Sequence, residues 1–186
     1  DKLEEIFKNK REEFEKKWDD IKVFIEYGII SDEKFYDRAR KFCLLKNTEG
    51  KYFTLEEYND KVKELQKNKN DKVVYLYSTD KEEQYSYISL AKERGYDVLL
   101  MDGQLDTHFI NSLEYKLSNV EFKRVDADVI DKLIEKGDNR VDKLSEKDKR
   151  HLRKIFRAYL RKGNYSIEIE SLGEEDMPIV VTKPEF

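Results

Sequence analysis

Between Val73 and Val125 short apolar runs alternate with capped amphipathic stretches, and this rhythm constrains the fold more than any other feature. Val73 to Tyr77 is rich in β-branched and aromatic residues, as befits a strand buried on both faces. Thr79 and Glu82 have capping-box spacing and open a helix that ends at Gly95. Val98 to Met101 is a second apolar run. Asp106 is placed to cap a helix carrying Phe109, Ile110, Leu113 and Leu117. Val120, Phe122 and Val125 make a third strand, and Asp126 is placed to cap a last short helix through Ile134. Strand, helix, strand, helix, strand at this spacing predicts a parallel sheet with right-handed crossovers. Three strands are few, so helices must cover both faces.

The residues before this unit read as helical. Leu3, Ile6, Phe7, Phe14, Trp18, Ile21, Phe24 and Ile25 recur at three- and four-residue steps, one stripe of a long amphipathic helix. Gly28 is expected to end it in a left-handed cap, and Ser31 to cap a second helix with Phe35, Tyr36, Ala39 and Phe42. Leu44, Leu45, Tyr52 and Phe53 flank Asn47-Thr48-Glu49-Gly50, a hairpin or loop. Thr54 and Glu57 form a capping box ahead of Leu55, Tyr58, Val62 and Leu65. Lys67 to Lys72 is a polar connection.

A boundary is expected at Gly137-Asp138-Asn139-Arg140. A helix from about Ser145 to Lys162 follows, stopped by Gly163. Tyr165, Ile167 and Ile169 alternate with Ser166, Glu168 and Glu170, a half-buried strand that Ile179-Val180-Val181 could pair. One helix and two strands hold too little core alone, so this tail reads as the opening of another domain. The whole is α/β.

Composition excludes several classes. Of 186 residues 42% are charged and 38% apolar, yet the net charge is only -4 and 12% are aromatic, which argues against disorder. Seven Gly and two Pro exclude collagen and low-complexity tracts. Cys43 is the only cysteine, so there is no disulfide scaffold, and its apolar neighbours mark it as a small buried hydrophobe. No apolar run is long enough to span a membrane. The first residues carry no signal-peptide core and no starting Met, so the chain is expected to be a segment of something longer.

Few constellations carry chemistry. The turn Ser78-Thr79-Asp80-Lys81 has no glycine and Met101-Asp102-Gly103-Gln104 has one, so neither offers the amide cradle of a nucleotide loop. Asp126 and Asp128 have a D-x-D spacing that can hold magnesium beside a phosphate, for phosphoryl transfer. Capping by Asp126 accounts for the same pair. His108 and His151 lack ligand partners at zinc spacing. The helix 145–162 carries Lys147, Lys149, Arg150, Arg153, Lys154, Arg157, Arg161 and Lys162, which can neutralise phosphates or fill a solvated face. The acidic remainder of the chain disfavours nucleic acid as a partner. Twelve Tyr and ten Phe exceed the needs of a small core, and surplus aromatics such as Tyr85 and Tyr87 can mark a protein-binding surface.

Longer stretches carry a resemblance. Lys17-Trp18-Asp19-Asp20-Ile21 and Tyr27-Gly28-Ile29-Ile30-Ser31-Asp32-Glu33-Lys34-Phe35 resemble bacterial members of the heat shock protein 90 family. So do Tyr52 to Tyr58, Val74 to Tyr77, Arg94 to Met101 and Gln104-Leu105-Asp106. The resemblance covers essentially the whole chain and rests on the order and spacing of these stretches. It implies the C-terminal part of the family's middle domain: a helical connector over 1–70, then a small three-layer α/β/α subdomain over 71–136. From 144 to 186 it implies the start of the C-terminal domain, whose helix and strands open an α+β fold.

The family's full-length members are ATP-driven, magnesium-dependent homodimers that remodel client proteins in the cytoplasm. No ATP-binding or catalytic residue of the family falls within this chain, so the fragment is expected to be non-catalytic, with no cofactor or metal of its own. The resemblance does carry over a client-contact surface at the opening of the Asp106 helix, where Thr107, His108 and Phe109 are the candidate residues.

Overall fold

A computed structural model of the protein describes residues 2–137, 144–160, 163–171 and 178–183. The chain divides into two compact units, Asp1–Lys136 with Thr182–Phe186, and Gly137–Val181.

The first unit opens with α1 (Lys2–Asn9), α2 (Arg11–Lys16), α3 (Trp18–Ser31) and α4 (Glu33–Ala39). The single long helix expected here is thus broken, at Lys10 and again at Lys17. The break lets the Phe7 ring meet Phe14 edge-on at 5.4 Å, and Phe14 in turn packs on Trp18 and Phe42. Aromatic burial outweighs one helical turn. Gly28 does not end α3. It lies inside the helix, where a Cβ would stand 2.6 Å from the Phe35 ring, so its role is close packing. The cap of α4 is Asp32, which accepts from Lys34 N and Phe35 N, while Ser31 Oγ donates back to Tyr27 O.

Of the two readings, hairpin or loop, the structure shows the hairpin: β1 (Leu44–Lys46) and β2 (Tyr52–Thr54) pair antiparallel. Asn47 organises its loop, with Oδ1 accepting from Glu49 N and Lys51 N. Gly50 closes the turn at φ +80°. The Thr54–Glu57 capping box is formed and opens α5 (Leu55–Val62).

The parallel sheet is present, with β3 (Val73–Ser78) between β4 (Val98–Leu100) and β5 (Val120–Arg124). Val73 and Tyr75 enter one core with α3, α5 and α7 (Asp106–Lys116). Val74 and Leu76 enter the other with α6 (Tyr85–Glu93) and α8 (Ile130–Leu133). That two-sided burial is why the first strand reads as a continuous apolar run. The hairpin loop covers the outer edge of β4, where Thr48 N donates to Val98 O at 2.8 Å. An edge so covered cannot template aggregation. α6 ends before Gly95, at φ +76°, as expected.

Three caps differ from expectation. Asp80, not Thr79, accepts from Glu82 N and Glu83 N. Asp106 caps no helix end in the ordinary sense: it is the first residue of α7 and folds back to accept from Gly103 N. Asp126 is ion-paired with Arg124, and Val129 precedes α8 without a side-chain cap.

In the second unit α9 (Glu146–Tyr159) is capped by Ser145, whose Oγ accepts from Asp148 N. The expected strands at 165–169 and 179–181 form no ladder among the described residues. A two-stranded ribbon is marginal in water without a further layer over one face. The boundary residues Asp138, Asn139 and Arg140, and Arg161 and Lys162 at the helix end, lie outside the described residues.

Candidate functional site

Met101 to Leu105 joins β4 to α7, whose first turn carries the three candidate residues. Thr107 and His108 are exposed on the first turn of α7. Phe109 is not: at 1% exposure it packs in the core with Leu113 and Trp18. The helical stripe that places Phe109 with Ile110 and Leu113 decides this, so Phe109 supports the turn from beneath.

What fixes this turn is a buried polar cluster that spacing arguments miss. Lys22 and Glu26 fall on the buried stripe of α3, between Trp18 and Ile29. Lys22 Nζ donates to Asp106 Oδ2 at 2.8 Å and stands 3.7 Å from Glu26 Oε1. Gly103 N donates to the same Asp106 oxygen at 2.9 Å. A Cβ on Gly103 would stand 2.9 Å from Asp106 Oδ1 and 3.2 Å from Lys22 Nζ, so glycine lets the loop close on the pair. Burial works against the Lys22 ammonium, yet Glu26 and Asp106 together hold its pKa above the ordinary lysine value. Burial pushes the Glu26 carboxyl up to about 8, opposed by Lys22 and reinforced by Asp106. A charged pair at i, i+4 on an apolar stripe was the signal in the sequence.

Beside this cluster is a cavity of about 340 Å³, floored by Trp18, Leu44, Met101 and Phe109 and rimmed by Val23 and Gln104. Val23 continues onto an exposed apolar face of α3, where Phe24 is 74% and Tyr27 63% exposed. Tyr85 is also exposed, whereas Tyr87 packs against the second core.

The other candidates resolve differently. Gln84 is buried, and its Oε1 accepts from Ser78 Oγ at 2.8 Å, Thr79 N at 2.9 Å and Asp80 N at 3.3 Å. The amides of the turn after β3 are thereby engaged by the protein's own side chain. The Asp126 carboxylate is held by Arg124, and Asp128 accepts from the adjacent Val129 N. Lys183 N donates to Asp126 O at 2.8 Å, closing the same corner. Among the described residues no three His, Cys, Asp or Glu side chains gather at metal-binding distance. Cys43 is fully buried, and burial pushes its thiol far up. On α9, Lys147, Arg150, Lys154 and Arg157 are exposed, and Lys149 pairs with Glu146 at 3.2 Å. Among the described residues no helix is long and apolar enough to cross a membrane.

Comparison with known proteins supplies the family. The family model for the Hsp90 protein matches residues 1–186. The chain is 44% identical to a chaperone protein HtpG of Bacteroides fragilis and 47% identical to one of Porphyromonas gingivalis, in both cases over its whole length. It spans 28% of the length of each of these relatives. A solved middle domain of a putative heat shock protein from Plasmodium falciparum shares the fold, with TM-score 0.52 and 18% identity over 66% of this chain and 51% of that one. Full-length sequence similarity and shared fold agree: the chain belongs to the Hsp90 family.

Proposed function

We propose that this chain is a non-catalytic, middle-domain segment of an ATP-dependent chaperone that contacts client proteins and relays domain motion. The observation that carries the reading is the first turn of α7. It presents Thr107 and His108 to solvent on a base made rigid by Lys22, Asp106, Gly103 and Phe109. Client contact of low sequence selectivity suits an amphipathic surface, and Phe24 and Tyr27 add exposed aromatic area on α3, the helix that Lys22 ties to this turn. The relay reading is supported by the continuity of the first core, which runs from Phe14 in α2 to Phe122 in β5. Close-packed interiors transmit displacement rather than absorb it.

In this reading residues 1–70 are the helical connector, 71–136 the α/β/α subdomain, and 144–186 the start of the C-terminal domain. Nucleotide and magnesium bind elsewhere in a longer, homodimeric, cytoplasmic parent. The self-engaged turn at Gln84 supports the placement of nucleotide outside this sheet, because phosphate-cradling loops need free amides.

Photo-crosslinking tests the client surface. A photoreactive residue at position 107 or 108 of the full-length protein should crosslink an unfolded model protein. One at Lys63, exposed just after α5, should not. Equal crosslinking from both places removes the assignment.

A further inference from the structure

Asp106 poses an accounting problem. It is 2% exposed, and its Oδ2 accepts from both Gly103 N and Lys22 Nζ. Its Oδ1 is buried and has no donor. A buried carboxylate oxygen without a donor carries its full desolvation penalty. Glu26, also 2% exposed, shares the Lys22 ammonium with Asp106, and its own contact with Lys22 Nζ at 3.7 Å is too long for a hydrogen bond. Two ionised carboxylates beside one ammonium would leave an uncompensated negative charge in a nearly dry place. Two buried carboxylates that share one ammonium resist double ionisation, so one takes up a proton.

We propose that Glu26 and Asp106 form a proton-binding site, in which the neutral Glu26 carboxyl donates its O–H to Asp106 Oδ1 and clasps α3 to the first turn of α7. The triad is then neutral overall: Lys22 positive, Asp106 negative, Glu26 uncharged. The orphaned oxygen gains its donor. Asp106 already accepts from Gly103 N and Lys22 Nζ, whereas Glu26 has no donor at hydrogen-bond distance among these groups, so Glu26 is the carboxyl that takes the proton.

The surroundings agree. From its own helix Glu26 faces Lys22, with Asp19 farther out on the cavity rim. From α7, Asp106 shares Lys22 with it. Asp102 in the loop before α7 acts on Lys22, and Glu26 acts on the buried Cys43 thiol, which is neutral. Lys46 lines the cavity but is drawn off by Asp19 at 2.6 Å. The cavity that Glu26 lines gives the proton a route to solvent.

An unfolded glutamate titrates near 4.5, and burial raises Glu26 to about 8 in the native protein. Between those values the native state holds the extra proton, so the clasp's contribution is whole below the lower value and is lost as pH rises through the upper.

A carbon-detected NMR titration of the Glu26 carboxyl in the 186-residue chain tests this, with Glu26→Gln as the comparison. The proposal expects a midpoint above about pH 6.5 and Gly103 and Thr107 amide signals that move with it. It also expects the wild-type melting temperature to fall between about pH 5.5 and 8.5, while that of Glu26→Gln, whose amide can donate to Asp106 at every pH, stays flat. A Glu26 midpoint below about pH 5.5 overturns it. So do parallel melting curves for the two proteins.

Discussion

At the scale of single residues, neighbours in sequence play opposite parts. His108 is exposed and Phe109 fills the core one position later. Phe109→Ala should cost about 3–5 kcal/mol in urea unfolding, because it leaves a cavity against Trp18 and Leu113. His108→Ala should stay within about 0.5 kcal/mol, yet weaken client crosslinking. If His108→Ala instead unfolds the protein, its exposure does not describe its role. Gly28 makes a similar point. Gly28→Ala should cost about 1–3 kcal/mol, since the added Cβ overlaps the Phe35 ring. The glycine was visible in the sequence, but as a helix terminator. Close approach between helices leaves no mark in a local pattern, so the reason for the glycine was not.

At the scale of elements, the legible features were those governed by neighbours a few residues away. The Thr54–Glu57 box, the hairpin around Asn47 and the strand at Val73 all formed because their hydrogen bonds or periodicities are local. Thr54→Ala should cost about 1 kcal/mol in thermal or urea unfolding. Glu57 also accepts from Arg11 at 2.5 and 2.7 Å, and that bond holds its carboxyl below the ordinary glutamate value. Its contribution is therefore present above pH 4.5 and lost on acidification. It is small, because both side chains are more than a third exposed. Long-range bonds were the illegible ones. Gln84 carries no signal in the local pattern, yet it satisfies buried Ser78 and two amides. Gln84→Ala should cost about 1–3 kcal/mol, read by urea unfolding, by stranding those donors. The broken α1–α3 run was hidden for the same reason, since the aromatic cluster at the break is completed by Phe42, far along the chain.

At the scale of the molecule, helices and sheet share a core that sequence rhythm treats as two. The rings of Phe53, Tyr58, Tyr75 and Phe122 meet in succession at 5.8, 4.9 and 5.2 Å, carrying packing from the hairpin through α5 to the far strand. Residues 2–136 should therefore lose their slowest-exchanging amides together in native-state hydrogen exchange. Separate protection classes for 2–70 and 71–136 would contradict a common core. The candidate surface was legible only through resemblance, because exposure of Thr107 and His108 depends on which side of α7 the sheet takes. The measurement that most directly tests the account is the mass and ATPase activity of the native protein, captured from its source cells with an antibody to this chain. A segment of an ATP-driven chaperone should come out in a species several times heavier than 22.4 kDa that hydrolyses ATP, while the isolated chain does not. A native species of 22.4 kDa without ATPase activity would contradict it.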